Sequence, residues 1–119
     1  MIKKILICDD DEGIVDVASI VLREAGYDVT VVTASEHIFS VINNIQPDII
    51  LLDLWMPNLS GEKIAKQLKD QEKTRHIPVI IMSASRKTEQ TAKSAGADDY
   101  ICKPFDIEEL EEIVRKYTE

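Results

Sequence analysis

A chain of 119 residues with 22 acidic against 14 basic side chains carries a formal net charge of −8, which argues against nucleic acid, whose phosphates need clustered Lys and Arg. Apolar residues make up 45% and charged residues 30%, the balance of one soluble globular domain large enough for its own core. No run approaches the ~20 apolar residues of a spanning helix, and Lys3 and Lys4 precede only Ile5 to Cys8 before acids arrive, so neither a membrane segment nor a signal peptide is read.

Ile2 to Cys8 predicts a first strand that stops at Asp9, Asp10, Asp11 and Glu12. From Ile14 the spacing becomes helical, placing Ile14, Val15, Ala18, Val21, Leu22 and Ala25 on one face, and Gly26 supplies a left-handed terminus. Tyr27 to Val32 predicts a second strand. Thr33 and Glu36 then predict a capping box for a helix that buries Ile38, Val41, Ile42 and Ile45. Pro47 bars its continuation. Ile49 to Leu52 reads as a strand buried on both faces and ending at Asp53, after which Pro57, Asn58 and Gly61 force an irregular loop. Ser60 caps a helix through about Gln71, with a thin stripe of Ile64, Ala65 and Leu68. Pro78 introduces a fourth strand, Val79 to Met82, ending at Ser83 and Ala84. Arg86 to Ala95 predicts a helix that offers the core little except Ala92 and Ala95. Gly96 ends it, Asp99 to Cys102 forms a fifth strand, and Lys103-Pro104 closes that strand. Asp106 and Glu109 cap a last helix whose inner face is Ile107, Leu110, Ile113, Val114 and Tyr117. Cys8 and Cys102 lack metal spacing and read as small buried residues in a reducing cytoplasm rather than a disulfide. Five strand-then-helix repeats call for a parallel sheet covered on both faces, a doubly wound three-layer sandwich.

Asp9 and Asp10 follow the first strand, Asp53 the third, Ser83 the fourth and Lys103 the fifth. In a parallel sheet all five emerge at one edge, where such sheets bind their ligands. Taken singly, Asp53 is as readily a turn cap and the acid pair solvated loop residues. Together, three carboxylates raise one another's pKa values unless a cation joins them, and oxygen ligands with room for water suit magnesium better than zinc. A divalent cation, an ammonium and a hydroxyl around one carboxylate form a site for a doubly charged phosphoryl group, with the carboxylate as nucleophile of an aspartyl phosphate. His37 and His76 are expected at the surface.

The runs I-L-I-C-D-D-D, D-I-I-L-L-D-L-W-M-P, I-I-M-S-A and D-D-Y-I-C-K-P-F together resemble the receiver domain of two-component response regulators, end to end. That resemblance implies a flavodoxin-like (βα)5 fold with strand order 2-1-3-4-5. It implies that Asp53 accepts a phosphoryl group from a phosphohistidine on a sensor histidine kinase or phosphotransfer protein. Mg²⁺, or Mn²⁺, would be bound directly by Asp10, Asp53 and the backbone carbonyl of Trp55, with Asp9 acting through water. Lys103, the Ser83 hydroxyl and the Ala84 backbone amide would contact the phosphoryl oxygens. A switch is implied too: Ser83 moves toward the phosphoryl group and Tyr100 turns inward. The surface of the fourth helix, fifth strand and fifth helix would change for an unknown downstream protein. Such a chain is a phosphoacceptor that assists its own phosphorylation and dephosphorylation, not an enzyme on an external substrate. It would be cytoplasmic, a monomer or a phosphorylation-dependent dimer, with no direct nucleic acid or membrane contact. Cys8, in place of an aliphatic residue, and Ser83, in place of threonine, are small departures from the family pattern. Bulky Trp55 and small Ser85 stand where the family controls water access, so a long-lived aspartyl phosphate is expected.

The rival readings are three. A haloacid-dehalogenase-type phosphatase also forms an aspartyl phosphate, but needs a second acid where Trp55 stands. A dinucleotide fold needs a G-x-G-x-x-G that is missing after the first strand. A degenerate receiver would serve only as a scaffold. The expectation is one receiver domain over residues 1–119 with no output domain in this chain: a stand-alone regulator, a relay intermediate, or a receiver excised from a larger regulator or hybrid kinase. Met1 favours a natural beginning. Glu108, Glu111 and Glu112 on the last helix oppose Arg86, Lys87 and Lys93 near the fourth, as either a docking or dimerisation face or a solvated surface.

Overall fold

The computed structural model describes residues 2–119. Its strands β1 (Lys4–Cys8), β2 (Asp28–Val32), β3 (Ile49–Asp53), β4 (Val79–Ser83) and β5 (Asp99–Cys102) form one parallel sheet in the order β2-β1-β3-β4-β5. Helices α1 (Glu12–Glu24), α2 (Ile38–Ile45), α3 (Gly61–Asp70), α4 (Thr88–Ala95) and α5 (Ile107–Thr118) cover both faces. This is the doubly wound sandwich that the alternating strand and helix patterns predict, in the flavodoxin-like strand order that the resemblance implies.

Every residue of β3 and β4 is buried, because alternate side chains feed two separate cores. Leu6, Ile50, Leu52, Val79 and Ile81 meet Ile38, Ile42, Ile64, Leu68 and Ala92 on one face. Ile5, Ile7, Ile49, Leu51, Ile80 and Met82 meet Val15, Ala18, Leu22, Leu110 and Val114 on the other. Each fully buried aliphatic side chain contributes about 1.5–3 kcal/mol, so the sheet is a rigid base for whatever its ends carry.

Local signals set most boundaries. The Asp11 carboxylate accepts from the Ile14 amide and starts α1 two residues before its first apolar position. Ser60 accepts from the Lys63 amide and starts α3 as expected. The predicted Thr33–Glu36 capping box does not form. The chain instead makes a 3-10 turn, Ser35–His37, and α2 begins only at Ile38, because tertiary hydrogen bonds claim Ser35 and Glu36. Asp106 occupies the N-cap position of α5 without a side-chain capping bond.

Three burial expectations also fail. Ala25 lies past the last turn of α1 and is exposed. Ile107, the first residue of α5, is 49% exposed, and the buried stripe starts one turn later at Leu110. Cys102 is exposed because β5 is an edge strand whose α4 side is covered only by small residues. His37 and His76 are exposed, as expected.

At the edge of the sheet where the strands begin, the partly buried Lys69 ammonium at the end of α3 pairs with Asp98 at 2.6 Å. It also donates to the carbonyls of Arg75 and Ile77. Asp98 in turn accepts from the Val79 amide. No helix among the described residues is long and apolar enough to cross a membrane.

Candidate functional site

Parallel register brings the carboxyl ends of four strands together: Cys8 lies beside Leu52, Asp53 beside Met82, and Ser83 beside Cys102. Ladder bonds continue past the strands and fix the residues that follow. The Asp9 amide donates to Val32, the Leu54 amide to Met82, and the Lys103 amide to Ser83 at 2.8 Å. Backbone, not flexible loop, therefore aims these side chains.

Lys103 bridges two of the acids, with its ammonium 2.7 Å from Asp9 Oδ2 and 3.0 Å from Asp53 Oδ1. The Asp11 amide donates to the other Asp9 oxygen at 2.9 Å. One carboxylate oxygen each from Asp9, Asp10 and Asp53 lies within 4.8 Å of the others. Asp9 and Asp53 are buried, whereas Asp10 is exposed. Burial pushes the Asp53 carboxyl above its ordinary value; the hydrogen bond from Lys103 opposes that, and the charges of Asp9 and Asp10 reinforce it. Burial alone would lower the Lys103 ammonium, but its bonds to Asp9 and Asp53 carry it above the usual lysine range.

Three carboxylates facing one ammonium leave two negative charges in excess, at hard oxygen donors open to solvent through Asp10. That donor set fits a small divalent cation of the magnesium or manganese type. Among the described residues, Asp9 has both oxygens engaged by protein donors, while no donor reaches Asp10 or the second oxygen of Asp53.

Ser83 is buried beside this cluster, and its hydroxyl accepts from the Ser85 amide at 3.0 Å. The chain of such turns continues: the Ser85 hydroxyl accepts from the Lys87 amide, and Thr88 Oγ1 donates to the Ser85 carbonyl at 2.6 Å. Ala84 is exposed. The Trp55 indole is 68% exposed, standing in solvent. Tyr100 packs half-buried against the α2–α3–α4 core, and the neighbouring Glu89 charge raises its phenol pKa. Cys8 closes the floor of the site: its thiol donates to the Met56 sulfur at 3.6 Å, and burial together with Asp9, Asp53 and Asp10 pushes it to about 12.

Two contributors escape sequence reasoning. A Cβ on Gly61 would fall 2.1 Å from the Asp53 carbonyl oxygen, so glycine is required where α3 passes behind the acid. Ser35 reaches the loop after Asp53 from the opposite side. The irregular loop itself was legible from Pro57, Asn58 and Gly61, but the close approach was not. A separate cleft of about 490 Å³, lined by Ile42, Gln46, Lys73, His76 and Ile77, lies away from these acids and brings no comparable set of charges together.

The family model for the response regulator receiver domain matches residues 5–115. The chain is similar to the DNA-binding dual master transcriptional regulator RpaA of Synechocystis, 40% identical over 109 residues that cover 90% of this chain and 45% of that protein. It is also similar to the phosphate regulon transcriptional regulatory protein PhoB of Pseudomonas aeruginosa, 38% identical over 110 residues, covering 91% and 48%. Among solved structures, a chain from Chloroflexus aurantiacus described as a response regulator superposes with a TM-score of 0.94 at 28% identity, covering 99% of this chain and 98% of that one. The chain spans about half the length of the curated relatives it matches.

Proposed function

The chain belongs to the response regulator receiver domain family, and we propose that Asp53 is the phosphoacceptor of its phosphorylation-dependent switch. The observation that carries this reading is the convergence of the Asp9, Asp10 and Asp53 oxygens, with Lys103 bridging the two buried acids. An Asp53 carboxylate oxygen attacks the phosphorus of a phosphohistidine on a sensor histidine kinase or phosphotransfer protein. The phosphorus–nitrogen bond breaks, its electron pair returns to the imidazole, and Asp53 becomes an acyl phosphate. Lys103 sits where it can follow the new phosphoryl oxygens, and the Ser83 hydroxyl and Ala84 amide line the same edge.

Asp10, Asp53 and the Trp55 backbone carbonyl would hold Mg²⁺ or Mn²⁺ directly, and Asp9 would act through water, in keeping with the protein donors that already occupy both its oxygens. When bound, the cation supplies the positive charge that offsets three acids and a phosphoryl group. The chain assists its own phosphorylation and dephosphorylation and turns over no external substrate. Trp55 and Ser85 flank the approach of water, and the acyl phosphate is long-lived. A haloacid-dehalogenase-type phosphatase is disfavoured because Trp55 occupies the place of that family's second acid.

The response passes to the α4–β5–α5 surface, where a downstream protein reads it. Thr88, Ala92 and Ala95 are all that α4 buries, and Tyr100 lies against that weakly held helix. Its setting is cytoplasmic, in keeping with two free cysteines, and residues 1–119 act as one receiver unit, monomeric or dimerising on phosphorylation. DNA and membrane are not direct partners of this portion, given its net charge of −8. Incubation with magnesium and phosphoramidate, a small phosphoryl donor, should add about 80 Da, the mass of one phosphate, to the wild type and nothing to Asp53→Asn. Label that persists in the variant overturns the assignment.

A further inference from the structure

Ser35 is 2% exposed although it lies in a short connection with no regular structure beyond a single turn. Its hydroxyl donates to the Pro57 carbonyl at 2.8 Å and accepts from the Leu59 amide at 3.2 Å. The same Leu59 amide also donates to Pro57 at 2.9 Å, closing a three-residue turn around Asn58. Asn58 has a φ of 72°, a left-handed conformation that non-glycine residues keep only where their surroundings over-determine it. Beside this staple, the Asn58 side-chain amide donates to the Glu36 carboxylate at 3.2 Å. The turn begins two residues after Trp55, and it is also held by packing of Leu59 and Met56 against the core, the Cys8–Met56 contact and the bond from the Gly61 amide to Leu54.

We infer that Ser35 is a positioning residue: its hydroxyl, backed by Glu36 through Asn58, holds the turn at Pro57–Leu59 so that the backbone at Trp55 presents its carbonyl to the cation. The inference rests on the site reading above, and it adds the connection between β2 and α2 to the machinery. Ser35 touches neither acid nor phosphoryl group, so its effect belongs in cation affinity rather than in the chemical step. Two hydrogen bonds through one buried hydroxyl help preorganise a short loop, and without them the turn relies on its internal Leu59–Pro57 bond and the packing of Leu59.

The test is titration calorimetry with magnesium chloride on the intact chain. Ser35→Ala should bind magnesium roughly fivefold to tenfold more weakly, the effect of one or two net hydrogen bonds. Phosphorylation by phosphoramidate at saturating magnesium should stay near the wild-type rate. Asn58→Ala removes the bond to Glu36 and puts an alanine in the left-handed conformation, and it should weaken binding in the same direction. Ser40→Ala removes a hydroxyl that bonds only within α2 and its preceding turn, to the His37 carbonyl, and should bind as the wild type does. Wild-type affinity in both Ser35→Ala and Asn58→Ala overturns the role of Ser35 alone. A wild-type chain that binds no magnesium overturns the cation site and the role of Ser35 together.

Discussion

Replacing Gly61 with alanine places a methyl group where the backbone at the end of β3 already stands. The added Cβ would lie 2.1 Å from the Asp53 carbonyl oxygen and 3.0 Å from both Asp53 C and Leu54 Cα. Real Cβ atoms essentially never come within 3.0 Å, so α3 and the end of β3 must separate by about 1 Å at this point. Both neighbours are backbone, and no rotamer relieves the clash. The bond from the Gly61 amide to Leu54, 3.1 Å long, lies on the path of that movement. Overpacking of this kind costs about 1–3 kcal/mol, or roughly 4–12 °C in melting temperature for a domain of this size. A carboxylate displaced by about 1 Å also slows a positioned reaction by as much as about 100-fold. Urea unfolding and the rate of phosphoramidate labelling measure the two effects separately. Gly13→Ala is the control of opposite sign: it sits in the first turn of α1, its nearest new neighbour is 3.4 Å away, and it should stabilise by about 0.5–1 kcal/mol. A Gly61→Ala chain with wild-type midpoint and wild-type rate would show that the contact is not what it looks like.

Because burial raises the Asp53 carboxyl, the folded chain holds a proton that the unfolded chain has released, and stability falls as pH rises between the two values. In a chelator, Asp53→Asn should therefore gain stability relative to the wild type as pH rises above the ordinary aspartate value; parallel melting curves would remove the premise. Lys103→Met leaves Asp9 and Asp53 without their shared cation and should destabilise by about 3 kcal/mol at neutral pH, less as acid protonates the carboxylates. Chemical denaturation at two pH values decides, and a penalty that does not shrink in acid counts against the charge argument. With its thiol at about 12 and fully buried, Cys8 should resist iodoacetamide at pH 8 while the exposed Cys102 reacts, and peptide mass mapping of native and unfolded chains separates them. Equal labelling of both in the native chain contradicts the burial.

The strands were legible because each fully buried run has a composition that only a covered parallel sheet accommodates, and Ile49–Asp53 and Val79–Ser83 fell within a residue of expectation. The site was legible for the same reason: once the sheet is parallel, residues that end strands share an edge. The misses are long-range. Thr33 and Glu36 have the spacing of a capping box, but the Pro57–Leu59 turn competes for Ser35 and Glu36 and wins. Ile107 continues the helical stripe of α5 by arithmetic, yet it occupies the helix's first position, outside the packed stripe. Gly61 and Lys69 act through atoms six or more residues away, beyond the reach of helix spacing, and no local pattern announces which backbone a glycine will press against or which carbonyls a lysine will find.

The grip of Lys69 on Asp98, Arg75 and Ile77 also makes the two ends of α4 unlike. The chain is pinned two residues past Gly96 at its trailing end, whereas its leading end is held by the turn bonds from Lys87 and Thr88 to Ser85. If phosphorylation of Asp53 draws on Ser83 as proposed, the held end would serve as the pivot, and the surface beside Arg86 and Lys87 would be displaced more than that beside Lys93.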